Sequence, residues 1–224
     1  MQVSYRLKLL AFSVGALGVI LALNVAYSAL DTITRLDTVE AERDRWQRPA
    51  ATLQALNLKS GNVVVDLGCG SGYFTWKLSA LVGASGRVIA EDVRQESLTF
   101  AWVRARLRHA SNVSIVRGEL NDPHLPARVD AVLVCNTYHE LTDAHAILGK
   151  IYRSLARNGR IVIVDRSPST GASAVSESAA HEIPADRVAD ELRQAQFVLV
   201  DRQDHFIDSD PLRESWWLIA ASKR

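Results

Sequence analysis

Little in this chain points to nucleic acid, to zinc or to a disulfide framework. Its 26 Lys and Arg residues face 25 Asp and Glu residues, for a formal net charge of +1. A protein that grips a phosphate backbone carries a basic excess, so there is no electrostatic case for a nucleic-acid partner. Only two cysteines are present, Cys69 and Cys135. No Cys/His spacing matches a zinc site, and no metal ligands are assigned. There are no internal repeats and no long low-complexity tract. Beyond the N-terminal segment, about 190 residues remain, the size of one domain.

Charge is also missing from one particular place. Leu9 to Leu30 contains no charged residue. That run is long enough for one membrane-spanning helix, which needs about 20 apolar residues. Arg6 and Lys8 precede it. Two readings stay open. The run is an uncleaved single-pass anchor, or a secretory signal with Leu9 to Leu23 as its apolar core. Its length suits the anchor. Asn24, and the small-x-small triplet Ala26-Tyr27-Ser28, suit the signal and a secreted or periplasmic product. Basic residues flank the run on both sides, so orientation is open. Asp37 to Arg48 alternates acids and bases and reads as an exposed helix.

The richest stretch is Val63-Val64-Val65-Asp66-Leu67-Gly68-Cys69-Gly70-Ser71-Gly72-Tyr73. Apolar β-branched residues end on an acid, three glycines alternate, and a helix-compatible run follows. This predicts a buried strand, a tight loop and a helix start. Glycines admit positive φ and let a ligand lie against bare backbone. The following helix offers unpaired N–H groups. The loop therefore suits a nucleotide-like ligand at the carboxyl end of a strand. Gly68 and Gly70 fit the first two positions of the dinucleotide fingerprint, but Tyr73 occupies the third, which disfavours an NAD-linked oxidoreductase.

The pattern D-x-G-x-G-x-G instead resembles motif I of the class I S-adenosylmethionine (SAM) methyltransferases. The resemblance covers roughly Trp46 to Lys223, and is nearest to ubiquinone/menaquinone-type and related small-molecule methyltransferases. It implies an α/β fold: a Rossmann-like, doubly wound, seven-stranded sheet with an antiparallel last strand, here preceded by a transmembrane or signal helix. The expected division is 1–30 as anchor or signal, 31–60 as connecting helices and 61–224 as the methyltransferase domain.

The resemblance also implies roles. Asp66, Gly68, Gly70 and Gly72 would meet the amino-acid part of SAM. Arg87 to Val93 reads as the second strand, with Asp92 as the ribose ligand, Val93 beside it and Glu91 its neighbour. A carboxylate suits a ribose because it offers two acceptors and no competing donor. After a third strand, Asn112 to Gly118, Glu119 and Leu120 sit where the family holds adenine; Asp is commoner there than Glu. Val129 to Cys135 reads as the fourth strand, running into Asn136 at the cofactor and Tyr138, His139 and Glu140 at the mouth of the site. Those three are the candidates for taking a proton from the acceptor. His139 and Glu140 as mere helix-capping groups is the competing reading. Asn136-Thr137-Tyr138 lacks the double proline of the nucleic-acid amino-methyltransferases. SAM is thus the expected cofactor, and the expected partner is a small or lipid-like methyl acceptor, with the membrane reached through the N-terminal segment. A non-catalytic SAM-fold binding protein is the alternative.

Other expectations are local. Glu96 to Ala110 predicts a helix whose Arg104, Arg106, Arg108 and His109 form a solvated face. Ala144 to Leu155 predicts an amphipathic helix, stopped by Arg157-Asn158-Gly159. Arg160 to Asp165 is strand five. The Ser/Ala-rich 167–180 reads as a loop or weak lid, Pro184 to Ala195 as a helix, and Phe197 to Asp201 and Trp216 to Ala221 as the last strands, joined by a polar Asp204–Ser215 connection. Trp46 would pack over the cofactor mouth. Cys69 and Cys135 would end neighbouring strands, as free thiols or as a disulfide.

Overall fold

The computed structural model describes residues 2–168, 181–208 and 214–224, with side chains from Gly15 onward. Of the loop or lid expected at 167–180, residues 169–180 lie outside the described residues. The chain divides into two compact units, Met1–Glu42 and Arg43–Arg224.

Helix α1 (Gln2–Trp46) makes up the first unit and runs four residues into the second. It is long and apolar enough to cross a membrane. Leu17, Leu21 and Leu23 are each more than 60% exposed. Asn24 does not interrupt the helix, because its amide donates to the Ile20 carbonyl at 2.8 Å. Thr32 and Thr34 bond back to Ser28 and Leu30 in the same way. Such i−4 bonds satisfy a polar side chain inside an apolar helix.

The second unit is built on a seven-stranded sheet. Its strands are β1 (Val63–Leu67), β2 (Arg87–Asp92), β3 (Val113–Arg117), β4 (Val129–Cys135), β5 (Leu155–Arg166), β6 (Val198–Ile207) and β7 (Trp216–Ser222). The order is β3-β2-β1-β4-β5-β7-β6. β7 runs antiparallel to both its neighbours, and the other paired strands are parallel. The central strands are apolar on both faces because helices cover both. Val64, Val65, Val132 and Leu133 are fully buried.

Helices α2 (Pro49–Ala55), α3 (Tyr73–Val82) and α4 (Gln95–Leu107) serve one face, where Phe74, Leu78 and Val82 meet Val64, Val88 and Leu133. Helices α5 (Ala144–Ser154) and α6 (Ala185–Gln194) serve the other, where Ile147, Leu148, Ile151, Val188 and Leu192 meet Val65, Val132 and Ile163. Each such aliphatic side chain contributes roughly 1.5–3 kcal/mol by leaving water. Asp143 caps α5 by accepting from the Ala146 amide at 2.9 Å.

Three expectations need correction. Arg157-Asn158-Gly159 does not stop α5, which ends at Ser154. The triplet is a bulge within β5: Asn158 adopts φ +63 and donates its amide to the Lys223 carbonyl. β6 is longer than expected and takes in Asp204 to Ile207, an edge strand whose polar side chains face water. Arg104 is not solvated; it is 1% exposed and donates to the Ser71 carbonyl at 2.7 Å.

Candidate functional site

In a doubly wound sheet, the chain departs to opposite sides where the strand order reverses, and a crevice opens at the carboxyl ends there. Here the reversal lies between β1 and β4. A cleft of about 580 Å³, measured out to its open mouth, sits at that point. It is framed by Gly68 after β1, Glu91 to Arg94 at the end of β2, Glu119 and Leu120 after β3, and Thr137 and Glu140 after β4.

The glycine loop is set by backbone geometry. Gly68 adopts φ +71, and a Cβ there would lie 2.3 Å from the Thr137 methyl. Thr137 donates its hydroxyl to the Gly68 carbonyl at 3.4 Å, so the loops after β1 and β4 interlock. Gly70 adopts φ +55, but a Cβ built there meets nothing within 4 Å. Its face is open, which is the cradle a ligand lying on bare backbone requires.

Asp92 ties the second strand to this loop. Its Oδ2 accepts from the Gly70 amide at 2.9 Å, and its Oδ1 accepts from the Arg94 amide at 2.8 Å. The Arg94 guanidinium, 3.4 Å from Oδ1, has its pKa raised chiefly by the Asp92 charge. Glu91 is 3% exposed; burial, reinforced by Asp92 and Asp66, pushes its carboxyl up to about 8. Its Oε2 lies 3.4 Å from the Gly68 amide. Asp66 is buried below the loop, accepts from the Thr75 hydroxyl at 2.6 Å, and is pushed up to about 6 by that burial.

Of the residues singled out from sequence, Gly68, Asp92, Val93, Glu119, Leu120 and Glu140 line the cleft together. Asp66, Gly70, Gly72 and Asn136 do not; Gly70 reaches the cleft through its bond to Asp92, and Asn136 accepts from Arg166 at 3.1 Å. Tyr138 is also elsewhere: 1% exposed in the core, it donates its hydroxyl to Glu191 on α6 at 2.6 Å. His139 sits behind Glu140, its side chain 2% exposed, with Nδ1 2.8 Å from Asp165 Oδ1. Sequence reasoning overlooked Arg94 and Asp165, and it gave Thr137 no role. The signal for Asp165 was present, since it ends an apolar strand as Asp66 and Asp92 do.

The end of α1 is fastened beside the loop. Asp44 accepts from the Tyr73 hydroxyl at 2.8 Å and pairs with Lys77. Trp46 packs on Trp216 with ring centroids 5.9 Å apart, and it does not line the cleft. Cys69 and Cys135 are free thiols. Burial pushes the Cys135 thiol up to about 12 and raises Cys69 as well, so neither is a thiolate nucleophile near neutral pH.

Residues 58–196, more than half the chain, match the family described as "Methyltransferase domain". The chain belongs to this methyltransferase-domain family. Among curated relatives, it is 28% identical over 130 residues to the demethylmenaquinone methyltransferase of Lactococcus lactis, covering 58% of this chain and 51% of that protein. It is 31% identical over 126 residues to the ubiquinone/menaquinone biosynthesis C-methyltransferase UbiE of Pasteurella multocida, covering 54% and 46%. The chain thus spans about half the length of these relatives. A SAM-dependent methyltransferase of Aquifex aeolicus shares the fold, with a TM-score of 0.71 at 22% identity over 85% of this chain and 98% of that one. SAM is the cofactor of the family, and the open Gly70 face beside the Asp92 carboxylate fits it.

Proposed function

We propose that this protein transfers a methyl group from SAM to a small or lipid-like acceptor, and that the acceptor carries a quinone-type ring. The observation that carries the first part is the open backbone of Gly70 joined to Asp92 at the switch point of the sheet. The quinone-type ring is drawn from the names of the relatives above.

When bound, SAM supplies an electrophilic methyl group on a positively charged sulfonium. The rest falls to the chain. The loop of Gly68 and Gly70 would hold the amino-acid end, Asp92 with Val93 the ribose, and Glu119 with Leu120 the adenine. Asp66 acts one layer below, fixing Thr75 at the start of α3. Gly72 and Asn136 set loop conformation, both at positive φ. Aligning the acceptor and excluding water make up most of the remaining work. As the new bond to the acceptor forms, the acceptor must release a proton. Glu140 lines the cleft and His139 is oriented behind it by Asp165, so these two are proposed for that end of the site. Tyr138 is not, because its hydroxyl is committed to Glu191.

Helix α1 is proposed as a single-pass anchor that tethers the domain where lipid-like acceptors dissolve. Its exposed leucines support this reading. Two measurements test the whole. Full-length protein incubated with methyl-labelled SAM and a membrane lipid extract should label an organic-soluble product in the quinone fraction. Binding without any labelled product would favour the non-catalytic reading. The mature protein should also sediment with membranes at its full mass; loss of the first residues on intact-mass measurement would establish a cleaved signal instead.

A further inference from the structure

Sequence separates His139 and His181 by 42 positions, yet their rings meet. His139 Nε2 and His181 Nδ1 are 3.2 Å apart. Glu140 Oε1 is 3.8 Å from the same His139 nitrogen. The ligand atoms of these three side chains all fall within 4.8 Å of one another.

His139 is held from behind. Asp165 is fully buried; its Oδ1 takes the His139 Nδ1–H at 2.8 Å, and its Oδ2 accepts from the His139 amide at 3.1 Å. That leaves His139 Nε2 as a lone-pair donor aimed at the cluster. The His181 side is fixed two residues on. The Ile183 amide donates to the Arg166 carbonyl, and the Ile183 carbonyl accepts from Trp217 Nε1 at 2.8 Å. Glu140 belongs to the 3₁₀ turn Tyr138–Glu140 and lines the cleft.

A carboxylate behind an imidazole, with the other ring nitrogen turned to a shared point, is the usual outer support of a metal ligand. Two nitrogens each about 2.0–2.1 Å from a tetrahedral ion lie roughly 3.3 Å apart, close to the observed 3.2 Å. Two imidazoles with one carboxylate suit first-row divalent ions, not magnesium or calcium, which prefer oxygen alone. Three protein ligands also leave a coordination position free, as catalytic sites do.

We propose that His139, Glu140 and His181 form a binding site for a divalent first-row transition ion at the acceptor end of the cleft, with Asp165 as the group that orients His139. The open position is suited to a hydroxyl or phenolate oxygen of a bound molecule. With the ion in place His139 and Glu140 serve as ligands, and the proton-taking role proposed above is theirs only in the metal-free protein. The site stands on its own geometry and does not depend on methyl transfer.

The test is binding of the metal alone, so its failure is separate from failure of the methyltransferase reading. Metal-stripped full-length protein in detergent is titrated with Zn²⁺ by calorimetry and with Co²⁺ by visible absorption. One equivalent should bind and give a Co²⁺ d–d spectrum. His181→Ala, at an exposed position, should abolish the spectrum without loss of fold. Asp165→Asn should weaken binding roughly 10–100-fold. His205→Ala, at an exposed histidine beside Asp208, should change nothing. A wild-type protein that binds no more Zn²⁺ than His181→Ala, or a His181→Ala protein that keeps the Co²⁺ spectrum, would overturn the proposal.

Discussion

The amide of Gly70 donates to the Oδ2 of Asp92 at 2.9 Å, across 22 residues of sequence. One hydrogen bond thus joins the loop after the first strand to the end of the second. It orients the carboxylate at the mouth of the cleft. Asp92→Asn keeps the size and one acceptor oxygen but removes the charge. A hydrogen bond to a charged group contributes about 1.5–3 kcal/mol, so SAM affinity should fall roughly 10–100-fold. Calorimetric titration of both proteins at equal pH measures the ratio.

Gly68 is constrained twice, by its φ of +71 and by the Thr137 side chain that a Cβ would strike. Gly68→Ala should cost about 1–3 kcal/mol of stability, the range for strained backbone. Adding Thr137→Ala removes the two nearest obstructing atoms and should restore part of that loss. Urea unfolding of the single and double variants gives both values. Equal stability of the two variants would mean the backbone alone is responsible.

Glu91 makes stability depend on pH in a direction set by its raised pKa. Its carboxyl is pushed from an ordinary value of 4.5 up to about 8. Between those values the folded protein retains a proton that the unfolded chain has lost. Stability therefore falls as pH rises from about 4.5 to about 8 and levels off above. Asp66 contributes with the same sign, but only up to about pH 6. Glu91→Gln should flatten the decline between pH 6.5 and 9 and should exceed wild type in stability at pH 9. Unfolding midpoints across that range, wild type minus variant, isolate the effect from other groups.

Much of this was legible in the sequence where one rule acted alone. The fourth strand runs Val129–Cys135 as expected, because a stretch apolar at every position but Asp130 and bounded by polar residues admits one placement. The glycine loop was legible because positive φ selects glycine. Readings failed where a distant partner decided the outcome. Asn158 with a following glycine is a fair helix-stop signal, but the Lys223 carbonyl, just past the last strand, holds it in a bulge. Arg104 sits on a basic helix face, and only the fold brings the Ser71 carbonyl to it. Tyr138 follows the fourth strand as an active-site residue would, yet Glu191 from α6 claims its hydroxyl. His181 gave no local signal at all, since what matters about it is a contact with His139.

The measurement closest to the central claim is a calorimetric titration of SAM into the full-length protein in detergent, alongside Gly70→Arg. The Gly70 face is open, so the variant meets no steric clash and carries only the strain of a side chain at φ +55, about 1–3 kcal/mol, while its long side chain fills the ligand's place. The account predicts one equivalent of SAM bound by the wild type and none by Gly70→Arg. Equal binding by the two proteins, or no binding by the wild type, would contradict it.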